Sequence, residues 1–158
     1  MRFFLTSDDP TSKARALTLS KKLNIEIFKK PPQKQIKEFS EDYFFTCSKG
    51  RLFLKKGLRQ NSKPIFSDFD DWAKNYDDNL LKNSTKGLPA NFSCLDLTAG
   101  FGKDALEISK VVNCKSLVLV EKEAWVFELL VDGIKNISCS RAGGLLKKFK
   151  TFNMRSER

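Results

Sequence analysis

The sequence of 158 residues contains no histidine, and this absence removes several kinds of chemistry at once. Without an imidazole there is no Ser-His-Asp triad, no histidine general base and no typical zinc site. The four cysteines stand at positions 47, 94, 114 and 139, with no C-x-x-C pair among them. Such spacing favours reduced, buried thiols over disulfides or metal ligands, and it predicts a protein of a reducing compartment that binds no metal.

Long hydrophobic runs are missing as well. The N-terminus, MRFFLTSDDP, has only three consecutive apolar residues before polar ones, which is too short for the apolar region of a signal peptide. No other run approaches the length of a membrane span. The sequence therefore predicts a soluble, cytoplasmic protein with no membrane partner.

Acidic residues are too few to balance the basic ones. The chain carries 29 Lys and Arg against 19 Asp and Glu, a net charge of +10. This balance favours polyanionic partners, nucleic acid above all, because each phosphate contact releases condensed counterions. The lysines are spread along the chain, so a merely solvated basic surface is an equal alternative.

The first 57 residues predict a small α+β lobe. RFFLT reads as a strand, residues 11–23 as a helix and NIEIF as a second strand. DYFFTCSKGRLFLKK predicts a hairpin, because two apolar runs flank a short turn that contains Gly50.

Residues 58–90 are polar and rich in turn-forming residues. Within them, four aromatic residues recur at near-helical spacing: Phe66, Phe69, Trp72 and Tyr76. This pattern predicts a linker with an aromatic helix whose stripe is a docking face rather than a base-stacking platform.

Residues 91–158 alternate between strand and helix patterns. The strand FSCLDL, a helix over 103–112, the strand KSLVLVE, a helix over 126–134 and the strand FKTFNM follow one another. This order predicts an α/β domain with a parallel, Rossmann-like sheet. The apolar run KSLVLV further predicts a strand that is covered on both faces.

The candidate ligand site lies in CLDLTAGFGKDALEISK, residues 94–110. Ligands of open α/β sheets bind beyond the carboxyl ends of the strands, and Gly100 and Gly102 would let the backbone turn tightly there. Glu121 ends the second strand, 19 residues after Gly102, where its carboxylate can accept hydrogen bonds from both hydroxyls of a ribose. The pattern predicts a nucleoside ligand, and glycines that only make a tight turn are the alternative.

Two nucleoside cofactors fit this pattern to different degrees. The G-x-G-x-x-A at 100–105 satisfies the loose dinucleotide fingerprint, so an NAD-dependent α/β oxidoreductase is one alternative. Asp104 in the first helical turn and Asp96 at the strand end would repel a pyrophosphate, and Lys103 offsets them only in part. Asp96 has little evident structural use. The two carboxylates suit the ammonium and sulfonium of S-adenosylmethionine, which the pattern therefore favours.

The segments DLTAGFGKDA and VLVEKEAWVFELLVDGI resemble the family of ribosomal RNA small-subunit methyltransferase J, over residues 94–135. EDYFFTCSKGRLFLKK is similar to that family's N-terminal hairpin. The resemblance implies a class I methyltransferase that uses S-adenosylmethionine to methylate the exocyclic N2 of a guanosine in 16S ribosomal RNA. Its partner would be 16S RNA or the small ribosomal subunit.

The resemblance also implies cofactor contacts after each of three strands. Lys103 and Asp104 would follow the first strand, Glu121 and Lys122 the second, and FKTFNMRSE looks like the third. The full set of candidate cofactor-binding residues is Asp96, Gly100, Gly102, Lys103, Asp104, Glu121, Lys122, Arg155 and Ser156. No catalytic residue is predicted.

The sequence departs from that family in two places. Where the family has a basic, glycine-rich segment before the first motif strand, this sequence reads NYDDNLLKNSTKGLP. The family's Asp-Pro-x-x-Pro-type motif follows a fourth strand, whereas this sequence ends at Arg158, after the third.

From these departures we expect only the first three strands of a Rossmann-like class I methyltransferase core. The first of them would have an unpaired edge that permits self-association. We also expect a truncated chain that transfers no methyl group alone. A non-catalytic remnant that binds a nucleoside or RNA is a further alternative.

Overall fold

A computed structural model describes residues 2–28, 37–58, 62–75, 77, 79–111 and 113–154. The chain forms two compact units, which divide between Phe66 and Ser67. The strands and helices of the first unit are β1 (Phe3–Ser7), α1 (Ser12–Leu23), β2 (Glu26–Ile27), β3 (Tyr43–Ser48) and β4 (Arg51–Lys56). Those of the second unit are α2 (Phe69–Asn75), α3 (Asn79–Ser84), β5 (Phe92–Asp96), α4 (Lys103–Ser109), β6 (Cys114–Glu121), α5 (Ala124–Lys135), α6 (Ser140–Leu146) and β7 (Phe149–Asn153).

The first unit is built on a four-stranded sheet in the order β2-β1-β3-β4. β1 runs parallel to both of its neighbours, and β3 and β4 form the antiparallel hairpin that the sequence predicts. Lys49 and Gly50 make its two-residue turn at positive φ angles of 48° and 77°. Alternate strand residues, including Leu5, Phe45 and Leu52, are fully buried and supply much of the core of this unit.

The second unit contains a three-stranded parallel sheet in the order β5-β6-β7, with β6 in the centre. The predicted strands and crossover helices of this segment are present, and the Rossmann-like α/β prediction is confirmed. α4 ends at Ser109, earlier than the predicted 103–112, and Val112 lies outside the described residues. α6 is a helix that the sequence analysis did not predict.

Only one face of this sheet is buried. Along β6, Leu117 and Leu119 are fully buried, whereas the alternating Val118 and Val120 are half-buried. The apolar run predicted cover on both faces, but the second face is open in the part of the chain that the structure describes. Leu95 lies on this open face and is 58% exposed. Among the described residues β5 pairs with β6 alone, so its other edge is unpaired, and self-association through that edge stays a prediction.

The segment predicted as a linker, residues 58–90, contributes to both units. Ile65 makes an antiparallel bridge to Leu54 in the first unit. Phe69 on α2 is buried in the core of the second unit, and Trp72 packs against it edge-to-face at 5.4 Å between ring centroids. Tyr76, the last residue of the predicted stripe, lies outside the described residues.

Asp70 ties α2 to the start of α6. Its carboxylate accepts hydrogen bonds from the backbone N–H of Ser138 at 3.0 Å, from the Ser138 hydroxyl at 2.5 Å and from the backbone N–H of Cys139 at 2.9 Å. Burial works to raise the pKa of Asp70, but these hydrogen bonds together outweigh it and hold the pKa below its ordinary value. No helix in the described ranges is long and apolar enough to cross a membrane.

We expect Asp70→Ala to lower the free energy of unfolding at pH 7 by about 1–3 kcal/mol, the usual contribution of hydrogen bonds to a charged group. Because the folded-state pKa of Asp70 is lowered, this contribution is present above the ordinary carboxyl pKa of about 3.9 and is lost as the pH falls through the lowered value. Urea unfolding of both proteins from pH 7 to pH 2 measures the difference. Asp71→Ala, which removes an exposed carboxylate from the same helix, is the control. A difference between Asp70→Ala and the parent that does not shrink at low pH would contradict this assignment.

Candidate nucleoside-binding site

The glycine turn between β5 and α4 is held by backbone hydrogen bonds. Ala99 donates to the carbonyl of Val120 at 3.0 Å, and Gly102 donates to the carbonyl of Ala99 at 2.8 Å. Gly100 and Gly102 have φ angles of 52° and 84°, a region that residues with a side chain rarely adopt. The turn therefore lies at the carboxyl end of the sheet, against the neighbouring strand β6.

Glu121 closes this turn from the end of the central strand. It is 8% exposed, and its two oxygens accept one backbone hydrogen bond each. Oε2 accepts from Gly100 at 2.9 Å, and Oε1 accepts from Glu123 at 2.8 Å, just before α5 begins. A buried carboxylate needs such partners, and each oxygen keeps a further lone pair that can accept a ligand hydroxyl.

Two carboxylates flank the turn along the chain. Asp96 is half-buried at the end of β5, Asp104 is exposed in the first turn of α4, and Lys103 between them in sequence is half-buried. Asp96 Oδ1 accepts a hydrogen bond from the backbone N–H of Thr98 at 3.0 Å. Asp96 thus shapes the start of the loop, a structural use that the sequence analysis did not assign to it.

Gly102 is also a packing position. A Cβ built on it would lie 2.6 Å from Cδ1 of Leu130 on α5 and 2.8 Å from Cζ of Phe69 on α2. Gly102 is buried, so neither neighbour can move aside without disturbing the core. The sequence analysis identified the turn but not this contact, because it depends on helices that are distant along the chain.

Asn153 is a residue of the site that sequence reasoning missed. Its side-chain amide donates to the backbone carbonyl of Glu121 at 2.7 Å and of Lys122 at 3.4 Å. It therefore holds the chain at the point where β6 ends. Its position at the end of the third predicted strand could have revealed it, because Asn153 lies directly opposite Glu121 in the sheet register. Arg155 and Ser156, which the resemblance implied instead, lie outside the described residues.

An open cavity of about 620 Å³ lies on the uncovered face of the sheet and reaches the carboxyl ends of the strands at Lys122. Lys122, the residue after Glu121, lies at its rim together with side chains from all three strands. The lining residues are Leu95, Leu97, Val118, Val120, Lys122, Phe152 and Met154. The cavity is apolar apart from Lys122, and it is large enough to accept a nucleobase.

The described residues include no group of three or more His, Cys, Asp and Glu side chains placed to hold a metal ion. Cys94 lies on β5 and Cys114 on β6. Burial is the main cause that raises the pKa of each thiol. Both are therefore protonated near neutral pH and are poor nucleophiles. The structure thus brings together Asp96, Gly100, Gly102, Lys103, Asp104, Glu121 and Lys122 around one strand–turn–helix unit and its neighbouring strand.

Comparison with solved structures relates this fold to methyltransferases. The chain is similar to the SAM-dependent methyltransferase NGO1261 from Neisseria gonorrhoeae, with a TM-score of 0.65 and 16% sequence identity over 96% of this chain and 59% of that one. At this identity the likeness shows the fold alone. The chain therefore has the Rossmann-like fold of a SAM-dependent methyltransferase and spans about three fifths of that protein's length.

Two further solved structures are more distantly similar. TrmN from Thermus thermophilus has a TM-score of 0.38 and 14% identity over 98% of this chain and 45% of that one. aTrm5 in complex with tRNALeu has a TM-score of 0.33 and 15% identity over 90% of this chain and 40% of that one. Likenesses at these TM-scores are too distant to establish a common fold. No protein-family model and no curated protein sequence matches the chain significantly, so membership of the small-subunit methyltransferase J family stays a prediction.

We expect Gly102→Ala to destabilise the protein by about 2–4 kcal/mol, because the added methyl meets Leu130 and Phe69 and the residue must keep a positive φ. Gly144→Ala is the matched control, since a Cβ at Gly144 on α6 meets no atom within 4 Å. The control should be neutral or slightly stabilising, as alanine is the better helix former. Thermal and urea unfolding of the two variants measure the contrast. Equal stability of both would mean that Gly102 is not packed as described.

Proposed function

We propose that this chain binds S-adenosylmethionine at the glycine turn and serves the methylation of RNA. The observation that carries the proposal is the buried carboxylate of Glu121, which joins the amides of Gly100 and Glu123 at the end of the central strand. In this proposal the carboxylate would accept the ribose hydroxyls, and the apolar cavity that has Lys122 at its rim would accept the adenine. The hydrogen bond to Gly100 also holds the turn, so the support for an adenosine ligand comes from the acceptor capacity that remains on the carboxylate and from the apolar surface near it.

The charges around the turn agree with a cationic ligand. Asp96 and Asp104 would face the ammonium and the sulfonium of the cofactor, and Glu121 would accept the ribose hydroxyls. When bound, S-adenosylmethionine supplies an electrophilic methyl group on its sulfonium. The residues of this chain would bind and orient the cofactor, and we assign none of them a catalytic role.

A dinucleotide is the weaker candidate. In dinucleotide-binding turns the backbone amides approach the pyrophosphate. Here the Gly100 amide already donates to Glu121 at 2.9 Å, so a phosphate at this amide would lie beside a carboxylate. Electrostatic repulsion at that distance disfavours NAD.

The finer part of the proposal comes from the resemblance described in the sequence analysis. It names the exocyclic N2 of a guanosine in 16S ribosomal RNA as the methyl acceptor. The net charge of +10, from 29 basic and 19 acidic residues, supports a nucleic-acid partner. The matched Neisseria structure supports methyltransferase chemistry through its fold.

We also propose that the chain does not transfer methyl groups by itself. Transfer requires the methyl group and the acceptor nitrogen to be held in line at near-contact distance. Among the described residues β5 has an unpaired edge, so no described element beside that edge would hold an acceptor base. A remnant that binds a nucleoside or RNA without catalysis would have the same features.

Isothermal titration with S-adenosylhomocysteine tests the cofactor assignment. We expect saturable binding, and Glu121→Gln should weaken it about 10- to 100-fold, because one amide loses its acceptor and the ribose loses a charged partner. Asp71→Asn, which removes an exposed charge on α2, should bind like the parent. NADH titrated in parallel should bind more weakly. Stronger binding of NADH, or unchanged binding by a folded Glu121→Gln protein, would overturn the assignment.

Incubation with radiolabelled S-adenosylmethionine tests the acceptor. The purified chain should bind the cofactor but leave both naked 16S RNA and small ribosomal subunits unlabelled, because the acceptor side of the site is open. Labelled RNA would refute the proposed inactivity, and digestion to nucleosides would then show whether the product is N2-methylguanosine. An enzyme of the proposed family that labels the same RNA serves as the positive control.

A further inference from the structure

The net positive charge of the chain lies almost entirely in its first compact unit. Residues 1–66 contain 15 Lys and Arg against 6 Asp and Glu, a net charge of +9. Residues 67–158 contain 14 against 13, a net charge of +1. The two units hold nearly equal numbers of basic residues, so most of the difference in net charge comes from the acidic residues, 6 against 13. The first unit therefore attracts polyanions far more strongly than the second.

Acidic side chains of the first unit are engaged within it. The Asp42 carboxylate forms an ion pair with Arg2 at 2.7 Å. Asp9 accepts hydrogen bonds from the backbone N–H groups of Ser12 at 2.9 Å and Lys49 at 3.0 Å, which ties the start of α1 to the hairpin turn. These carboxylates hold the unit together, and their charge is partly neutralised by those contacts.

One face of β4 combines cations with aromatic rings. Arg51, Phe53 and Lys55 alternate along the strand and therefore share a face, and all three are half-buried. The ring of Phe66 packs edge-to-face on Phe53 at 5.2 Å, and the guanidinium of Arg51 lies 5.1 Å from the centroid of Phe66. We refer to these four residues as the β4 cationic face.

Arg51 also has an unused donor. Its Nε is buried and is the one buried side-chain nitrogen or oxygen without a hydrogen-bond partner in the described part of the chain. A buried donor without an acceptor is costly, and a guanidinium presents its N–H groups in a fork that matches two phosphate oxygens. Because Nε is enclosed, a phosphate would meet the terminal N–H groups of the Arg51 guanidinium. The β4 cationic face thus combines two cations with an aromatic pair for a base, which are elements of single-strand binding sites.

We propose that the first unit is the RNA-binding unit of this protein, and that a single-stranded RNA segment binds on the β4 cationic face. The phosphates would contact Arg51 and Lys55, and a base would stack on the aromatic pair. The inference rests on the proposed function for the identity of the polyanion as RNA. It adds where on the protein the RNA binds and that the bound RNA is single-stranded, neither of which follows from the cofactor site.

Fluorescence anisotropy with the full chain and a labelled single-stranded RNA of about 16 nucleotides tests the proposal. Arg51→Gln combined with Lys55→Gln should weaken binding at least about tenfold in 50 mM salt. The slope of log affinity against log salt should become shallower by about 1.4, since each lost phosphate contact on a single strand contributes about 0.7. A blunt RNA duplex of the same length should bind more weakly than the single strand.

Lys56→Gln is the matched control, because Lys56 is the next residue along β4, alternates to the opposite side and pairs with Glu41 at 2.7 Å. Lys115→Gln, at an exposed position on β6, is the control in the second unit. Both should bind the RNA within about twofold of the parent. Circular dichroism and thermal unfolding establish that all variants are folded. Arg51→Lys, which keeps the charge but loses the planar fork, should fall between the parent and the double variant if the guanidinium geometry matters.

The outcomes separate this inference from the proposed function. Equal loss of RNA affinity in the double variant and in Lys56→Gln would overturn the location, as would tighter binding to duplex RNA or to phosphatidylserine vesicles than to the single strand. Titration of S-adenosylhomocysteine into the double variant reports the cofactor site independently. RNA binding that follows the predicted pattern in a chain that binds no S-adenosylhomocysteine would sustain the inference and defeat the cofactor proposal. The reverse result would defeat only the inference.

Discussion

The hydrogen bond between the Glu121 carboxylate and the Gly100 amide organises the second unit. A carboxylate that is 8% exposed must be hydrogen-bonded, and Glu121 achieves this with two backbone amides on different loops. One amide belongs to the turn before α4 and the other to the residue before α5. The same side chain thereby links the two loops that lead into α4 and α5. In the proposed function, the same carboxylate would favour hydroxyls and cations as ligands over phosphates.

Gly102 completes this arrangement through its lack of a side chain. The turn approaches α5 and α2 so closely that a methyl group would overlap with Leu130 and Phe69. The core of the unit is therefore assembled around the turn, with α2 from the segment that precedes the sheet closing one side of it. Asp70 secures α2 in that position by its hydrogen bonds to the loop before α6. Changes at Gly102 and Glu121 consequently affect the fold and the site together, which is why binding experiments need a separate measure of folding.

Local patterns were sufficient to predict most strands and crossover helices of both units, because alternation and helical spacing are properties of neighbouring residues. They failed where the outcome depends on distant residues. KSLVLV is apolar on both sides, yet its second side is open among the described residues, since cover depends on other elements of the chain. α6 was missed because its sequence, SRAGGLL, contains two glycines that weaken a helical signal. Of the candidate site, the positions of the turn and of Glu121 were predicted from spacing, and their role in binding stays a prediction. Asn153 and the local role of Asp96 were not, because they act through hydrogen bonds that spacing does not reveal.

The division of charge between the units resolves a conflict between the two proposed ligands. S-adenosylmethionine carries an ammonium and a sulfonium, so carboxylates favour its binding, whereas RNA carries phosphates that carboxylates repel. A surface of uniform high positive charge would serve the RNA and weaken the cofactor site. In this chain the carboxylate-lined turn lies in a unit of net charge +1, and the excess of +9 lies in the other. Under the proposed function, this division would let one unit attract RNA without placing the same excess of positive charge on the unit that holds the cofactor site.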